Sequence, residues 1–432
     1  MNISRIKHKI NKNGGILLRN SVYYIFKRSE FNVIFRNLLS IYEKILLLIP
    51  LVPYKTISHS KYLENQPKSY GQLLLKRDVG YTSNLVFDLQ NNELTLIPVK
   101  IHDIFLYKHE NVRIHGNSDF VLDVSNGMAI SDAAYEMDDR IELFDGALFN
   151  HKKDLVLLKY DNTRCDSHLE SGIMISGRFS DNYYHILYEL LIKLILLDNV
   201  NIPETIPIVV DKVVTKVKSF KFIFEALNRT NRPIVFIDKE EVISFDKLFC
   251  ISAINTIPPH YRDVNGVQYS EDFIFDVNLL QVLKDRLIVK KSKKEFPSRI
   301  FVTRKNTKQR NFNEDEIIDF LEQYDFVIVK PEEYDLADQI AMFNNAKIII
   351  GGSGAAMANL LFCNKGCKVI CFKSNKKNTP AFTTIAYSQG VDMRYFIGSP
   401  IKSSIGKSYL HVDYHINVKD LKNVVDKIIN LL

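Results

Sequence analysis

The chain has 432 residues, 46% of them apolar and 25% charged, which is too long for one ordinary core and suits two α/β units with attachments. That balance is normal for a soluble globular protein and excludes fibrous or largely disordered classes. The net charge is +7, but residues 1–50 alone hold nine Lys/Arg against two acids, so the folded remainder is balanced. A basic terminal attachment on a neutral fold argues against nucleic-acid binding.

The elements are read in chain order. Residues 1–60 read as a basic amphipathic helical extension. Its longest apolar run, Ile45–Val52, is far short of the ~20 residues that span a bilayer, and no secretory signal is visible. Leu, Ile, Phe and Tyr mix with Arg and Lys at helical spacing over residues 16–52. That pattern fits a helix lying on an anionic membrane surface, and equally a helical hairpin packed on the protein. The expected location is cytoplasmic, peripheral on the inner face of the plasma membrane. Residues 61–170 form a β-rich segment, with β-prone runs at Asn84–Phe87, Leu94–Pro98, Asp119–Val124 and Asp154–Leu158.

From residue 171 strands alternate with helices, the pattern of a parallel sheet. Strands are expected at Gly172–Ser176, Ile206–Val210, Pro233–Ile237 and Lys247–Ile251, and helices at Asn182–Leu197 and Lys216–Ala226. These complete a first lobe over 61–285. Glu271–Lys294 reads as a long, mostly polar connecting helix. A second doubly wound lobe, 286–417, follows, with strands from Arg299, Phe326, Lys347, Lys368 and Met393. Its helices are Glu314–Tyr324, Leu336–Asn345, Ala355–Phe362 and Thr379–Gln389. The last helix, Val418–Leu431, is placed to cross back onto the first lobe. The five cysteines, Cys165, Cys250, Cys363, Cys367 and Cys371, have no metal-site or disulfide framework. They read as free, mostly buried thiols in a reducing compartment.

Three segments carry chemistry. Ile348–Asn359 runs an apolar strand into a glycine turn, Gly351, Gly352, Ser353 and Gly354, and then a helix of small residues. Such a turn lets backbone N–H groups of Ser353 to Ala355 approach a diphosphate at a helix N-terminus; the same glycines also suit tight strand–helix packing. Arg299–Glu314 exits a strand into a loop carrying Arg304, Lys305, Lys308 and Arg310, an anion cradle, with Asn313 capping the next helix. In Ser180–Glu189, His185 and Glu189 lie four apart on one helix face. A carboxylate-oriented histidine is a general base for a hydroxyl; it is also a common structural pair. No Asp-x-Asp pair occurs in the chain, which favours stabilising a leaving diphosphate without a metal.

Together the segments resemble glycosyltransferase family 61. The resemblance runs over about 140–430 in one linear order. It takes in Asn182–Glu189, then Arg304, Arg310 and Asn313-Glu314, then Asp338-Gln339, Phe343 and Ala346. It continues through Gly351–Phe362 with Asn359, and ends at His411-Val-Asp413. The family's histidine in the glycine turn is Ser353 here, and the acid that often follows the next strand, near Phe372-Lys373, is missing. The resemblance implies a GT-B fold and an inverting, metal-independent transfer of a sugar from a nucleotide-sugar donor, read as UDP-linked. The acceptor is a glycan or lipid-linked saccharide of surface polysaccharide, and no cofactor or metal is expected. His185 and Glu189 are the catalytic candidates. Arg304, Lys305, Arg310, Asn313, Gly352, Ser353, Gly354, Ala355 and Asn359 are the donor-side candidates, and Asn182 and Tyr184 the acceptor-side ones. The alternative is an inactive nucleotide-sugar or polyanion binder on the same fold. A nicotinamide oxidoreductase is disfavoured because no Gly-x-Gly-x-x-Gly with a following ribose acid is present.

Overall fold

The computed structural model describes residues 53–64, 70–77, 81–88, 93–131, 148–152, 155–158, 164–257, 273–288, 292–305, 307, 309–374, 381–401 and 412–430. The membrane-surface reading of the N-terminus, and the candidates Lys308 and His411, lie outside these residues, apart from the extension's last few positions. There the helical expectation fails. Pro53–Ile57 is a strand, β1, and only His59–Glu64, α1, is helical.

Further strands follow in order: β2 (Tyr70–Leu75), β3 (Tyr81–Asp88), β4 (Glu93–Lys100), β5 (Ile104–His115), β6 (Val121–Asp123), β7 (Met128–Ile130), β8 (Leu148–Lys152) and β9 (Leu155–Leu158). Then come β10 (Ser167–Met174), β11 (Ile208–Asp211), β12 (Ile234–Ile237) and β13 (Val242–Ile251). All but the β3–β4 hairpin join one mixed sheet, in the order β12-β11-β10-β13-β5-β6-β7-β1-β9-β8, with β2 paired on β5. Apart from that hairpin, the described strands of the β-prone segment are continuous with the first sheet. The strand that welds it on is β5, which pairs antiparallel with β13 over nine positions from Val242↔His115 to Ile251↔Leu106. β10, β11, β12 and β13 are mutually parallel. Their order, third-second-first-fourth in the chain, is one half of a doubly wound sheet, and the crevice where the order reverses lies between β10 and β13.

The second sheet holds β14 (Arg299–Val302), β15 (Val327–Val329), β16 (Ile348–Gly352), β17 (Lys368–Ser374), β18 (Asp392–Pro400) and β19 (Tyr414–His415), in the order β15-β14-β16-β17-β18-β19. The first five are parallel. Their order is second-first-third-fourth-fifth, which puts the reversal between β14 and β16. Ile348, Ile349 and Ile350 are fully buried, as a strand covered on both faces requires.

Helices pack against these sheets. After β10 one continuous helical run, α2, comprises α-helical Tyr183–His185, a π-helical turn Ile186–Leu190 and a 3₁₀ stretch Leu191–Asn199. α3 is Phe220–Leu227 and α4 is Val277–Leu287. α4 is shorter than the expected connector and is not mostly polar on every side. Asp276 caps it by accepting from the Leu279 N–H, and Leu279, Leu280, Leu283 and Leu287 are buried. In the second half lie α5 (Glu314–Glu322), α6 (Leu336–Asn345), the 3₁₀ helix α7 (Ala355–Phe362), α8 (Ala381–Ser388) and α9 (Val418–Ile429). One apolar cluster runs unbroken from α2, α3 and α4 to Val302, Ile349 and the buried faces of α7 and α8, so the two sheets share a core. A second cluster covers the outer face of the second sheet with α5 and α9. α9 thus stays with its own sheet rather than crossing back. Its Leu421 and Val425 pack there, and Tyr324 Oη donates to Asp426 Oδ1 at 2.7 Å. No helix among the described residues is long and apolar enough to cross a membrane. Four cysteines are buried and Cys165 is exposed, all free.

Candidate active site

Both order reversals bring chemistry-bearing loops to the carboxyl ends of parallel strands, where open α/β sheets bind ligands. In the second sheet β14 leads into residues 303–313 and β16 into the glycine turn. The two loops interlock. A methyl group on Gly354 would fall on Arg304 Nη1, and one on Gly352 would stand 2.5 Å from Arg304 Cδ and 2.8 Å from the Phe312 ring. The glycines are therefore needed because the Arg304 side chain lies across the turn. The start of the loop is fixed by Glu314, which accepts from Thr303 Oγ1 and from the Arg304 N–H. Its far end is fixed by the tail. Asn311 N–H donates to Asp413 Oδ1 at 2.8 Å, Phe312 stacks on Tyr414, and Asn313 bonds both the N–H and the carbonyl of Ile416. Asn313 stands at the start of α5 but does not cap it with its side chain; that side chain is committed to Ile416 and Glu316.

The product of this scaffold is two half-buried arginines whose charges act on each other. Arg304 donates through one terminal nitrogen to the Gln309 carbonyl at 3.2 Å. The Nε atoms of Arg304 and Arg310 are both buried without a hydrogen-bond partner. Burial holds the Arg304 guanidinium below its usual range. Arg310 is lowered to about 10, by burial first and by the neighbouring Arg304 charge second. Arg310 also sits at φ 59°, a left-handed conformation that costs a non-glycine residue about 1–3 kcal/mol. Two like charges, desolvated, with orphan donors, form a site that an anion completes. Lys305 is not part of it: exposed, it pairs with Asp315 at 2.6 Å.

The glycine turn differs from expectation in one respect. The Ser353 N–H donates to the Phe372 carbonyl at 2.8 Å, extending the β16–β17 pairing, so it does not point at a ligand. The first-turn N–H groups of α7, Ala355 and Ala356, have no intrahelical partner and are the backbone donors that remain. Gly354 precedes them in an extended conformation.

Asn359 is fully buried and joins the two halves of the molecule. Its Oδ1 accepts from Tyr183 Oη at 2.7 Å and its Nδ2 donates to Gln339 Oε1 at 2.9 Å. Beside it Tyr188 Oη donates to the Ala358 carbonyl at 2.6 Å. The helix that flanks the arginines is thus bonded to the helix that carries His185.

In the first sheet β10 leads into residues 175–182 and α2. This loop is over-determined. Asp211, at the end of β11, accepts from the Gly177 N–H and from Ser180 Oγ, and Asp119 accepts from the Arg178 N–H. Phe179 is held at φ 60°. Asn182 is the N-cap of α2, its Oδ1 accepting from the Tyr184 N–H at 3.0 Å. Tyr184 is buried among Tyr188, Phe382 and the edge of His185, so both expected acceptor-side residues have local structural duties.

His185 is set up differently. Its Nδ1–H donates to Glu189 Oε2, and the other oxygen, Oε1, accepts from the Ile257 N–H at 2.9 Å. The carboxylate is pinned from both sides and fixes the ring's tautomer. The Phe179 ring packs on the imidazole with centroids 4.8 Å apart. Nε2 is left as the nitrogen that faces outward from this clamp. Glu189 lies in the π-helical turn, a local irregularity frequent at functional sites. Among the described residues no group of three or more His, Cys, Asp or Glu stands together as a metal site.

The family model described as glycosyltransferase 61 matches residues 183–370. This stretch is a glycosyltransferase 61 domain. The match begins one residue after the Asn182 cap and ends inside β17, so the domain contains His185, Glu189, both arginines, the glycine turn and Asn359. Over this stretch the chain is similar to a family of glycosyltransferases. No curated protein matches the chain significantly. Sequence reading passed over Arg178, in the loop just before the matched stretch, and Asp211, at the end of β11. A single arginine beside a phenylalanine carries no motif, and only the fold shows that it is buried.

Proposed function

We propose that the protein is an inverting, metal-independent glycosyltransferase of GT-B architecture. In this reading a nucleotide sugar, UDP-linked, binds at the reversal of the second sheet, and a glycan or lipid-linked acceptor binds at that of the first. The observation that carries the proposal is the Tyr183–Asn359 bond. It ties the helix bearing a carboxylate-clamped histidine to the helix flanking two half-buried arginines whose Nε atoms lack a hydrogen-bond partner. A base for a hydroxyl and a cradle for a diphosphate are the two parts that sugar transfer needs.

The acceptor hydroxyl gives its proton to His185 Nε2 as its oxygen attacks the anomeric carbon. The bond to the diphosphate oxygen breaks on the opposite face, through an oxocarbenium-like state. The charge that develops on the leaving diphosphate falls on Arg304, Arg310 and the first N–H groups of α7. Glu189 does not touch substrate; it is a positioning residue that holds the imidazole and supports its charged form. Synthesis of surface polysaccharide at the inner membrane face, with the basic N-terminal segment resting on lipid, completes the proposal and rests on sequence pattern alone.

Calorimetric titration with UDP in the presence of EDTA tests the donor site. Each charge-assisted bond to the diphosphate contributes about 1.5–3 kcal/mol, so Arg304→Met is expected to weaken UDP at least tenfold. Removing a partly desolvated cation that has no carboxylate partner among the described residues should leave the unliganded protein about as stable. UDP affinity unchanged in Arg304→Met would refute the cradle.

A further inference from the structure

Among the described residues, four arginines outside the cradle keep a guanidinium nitrogen buried without a hydrogen-bond partner: Arg77, Arg178, Arg232 and Arg286. Arg77 follows the antiparallel strand β2, Arg232 precedes β12, and Arg286 lies on α4. Arg178 alone among them stands at the carboxyl end of a parallel strand beside an order reversal, the place Arg304 and Arg310 occupy in the second sheet. Its side chain is 8% exposed. Nε pairs with Asp119 at 3.1 Å, and Nη1 is the orphan.

The surroundings are built for precision. Asp119 Oδ1 accepts the Arg178 N–H at 3.2 Å, and the same oxygen lies 2.6 Å from where a Cβ on Gly177 would stand. Asp211 holds the residue before and the residue two after. Phe179, next in the chain, is kept in a left-handed conformation and packs on the His185 ring. A backbone forced into an uncommon region by several independent bonds is a feature of binding sites. Asp119 and Asp211 already fix the loop through backbone N–H groups, which leaves the arginine's Nη1 with no structural task.

We propose that Arg178 recognises an oxyanion, a carboxylate or a phosphate, carried by the acceptor close to the hydroxyl that reacts. The proposal rests on reading His185 as the base, since it is the Phe179–His185 contact that puts Arg178 beside the acceptor. The planar guanidinium, oriented at Nε by Asp119, offers a fixed donor to such a group. The acceptor is therefore an acidic saccharide or a saccharide phosphate rather than a neutral sugar.

The test follows the His185 ring resonances of the full chain by NMR during titration with glucuronate, inorganic phosphate and neutral glucose. One or both anions are expected to shift the ring signals saturably with a Kd on the order of millimolar, and glucose is not. Glucuronate acting alone identifies a carboxylate; phosphate acting alone identifies a phosphate. Arg178→Met should weaken that response at least tenfold, and Arg304→Met should leave it intact. If Arg178→Met does not fold, Arg178→Lys, which keeps the charge and loses the fork, should still weaken it. An undiminished response in the Arg178 variants overturns the proposal. So does loss of the response in Arg304→Met, or no response in the wild type. A His185→Ala variant with full turnover would remove the base assignment while the anion response remained readable in the wild type, so the two failures are separable.

Discussion

His185→Ala is expected to lower the turnover of sugar transfer by roughly 10²–10⁴-fold, the usual contribution of a positioned general base, while UDP affinity stays within a factor of about two. The split follows from geometry. His185 is clamped on the first sheet's side, and in the proposed mechanism the arginines hold the nucleotide on the second, so the base is expected to contribute to the reaction and not to donor binding. Glu189→Gln should give a smaller loss in turnover with the same unchanged UDP affinity. It keeps an acceptor oxygen but loses the charge that supports the imidazolium. A structural role for the pair would show instead as a lower melting temperature with normal turnover per folded molecule. Steady-state kinetics with calorimetry on both variants separates these outcomes.

Stability should collapse on mild acidification, and the cause is a set of buried neutral histidines in and beside the first sheet. His59 Nδ1 and His109 Nε2 are 2.7 Å apart in a buried pocket with Tyr62, Tyr107 and Asp123. Burial lowers His59 to about 3, with Lys193 adding to it, and lowers His109 well below its ordinary range, with His59 adding to that. His115 is lowered to about 4 by burial and then by Arg164 and Arg113. All three fold as neutral rings. Unfolded histidines take up protons below about 6.5, so the stability these groups confer is complete above that pH. It is lost as pH falls toward about 4 for His115 and about 3 for His59. Each costs about 1.4 kcal/mol per pH unit in that window, roughly 4 kcal/mol for the three against a typical total of about 5–15. Urea unfolding should therefore show a steep loss between pH 7 and pH 5. The double variant His59→Phe with His109→Leu should flatten it, and equal stability at both pH values would contradict the account.

Much of the second sheet was legible because its central strands, such as Ile348–Gly352, are apolar runs and two of its helices begin at side-chain caps. Leu336–Asn345 begins at an Asp335 cap and ends where the pattern ends. The first sheet was less so. β5 is the longest strand, yet Lys108, His109, Glu110, Asn111 and Arg113 interrupt its alternation, and two of its polar side chains, His109 and His115, are buried for tertiary reasons. Local pattern also misjudged α2 and α7. Their small and apolar residues read as ordinary helices, whereas packing between the two halves winds them as π and 3₁₀ turns.

The site shows the same division. Residue types at strand ends pointed to His185, Glu189, Arg304 and Arg310, and the fold brings each pair together. Which side chains are consumed by structure was not legible. Lys305 goes to Asp315, Asn313 to Ile416, Asn359 to Tyr183 and Gln339, and the Ser353 N–H to Phe372. Each of these depends on a partner at least ten residues away in the chain. The two departures from the family pattern also look different in three dimensions. Ser353 is buried, and Lys373, where an acid was expected, is a buried cation lying 3.7 Å over the Tyr395 ring and lowered to about 7 by burial.

The central claim is that this fold transfers a sugar with inversion and without a metal. The most direct test incubates the full chain, in excess EDTA, with a panel of UDP-sugars and acidic and neutral saccharide acceptors, following the anomeric proton of the product by NMR. The account predicts a new glycosidic signal of the configuration opposite to the donor's, undiminished by EDTA. A product that retains the donor's configuration, or turnover that EDTA abolishes and a divalent cation restores, would contradict it.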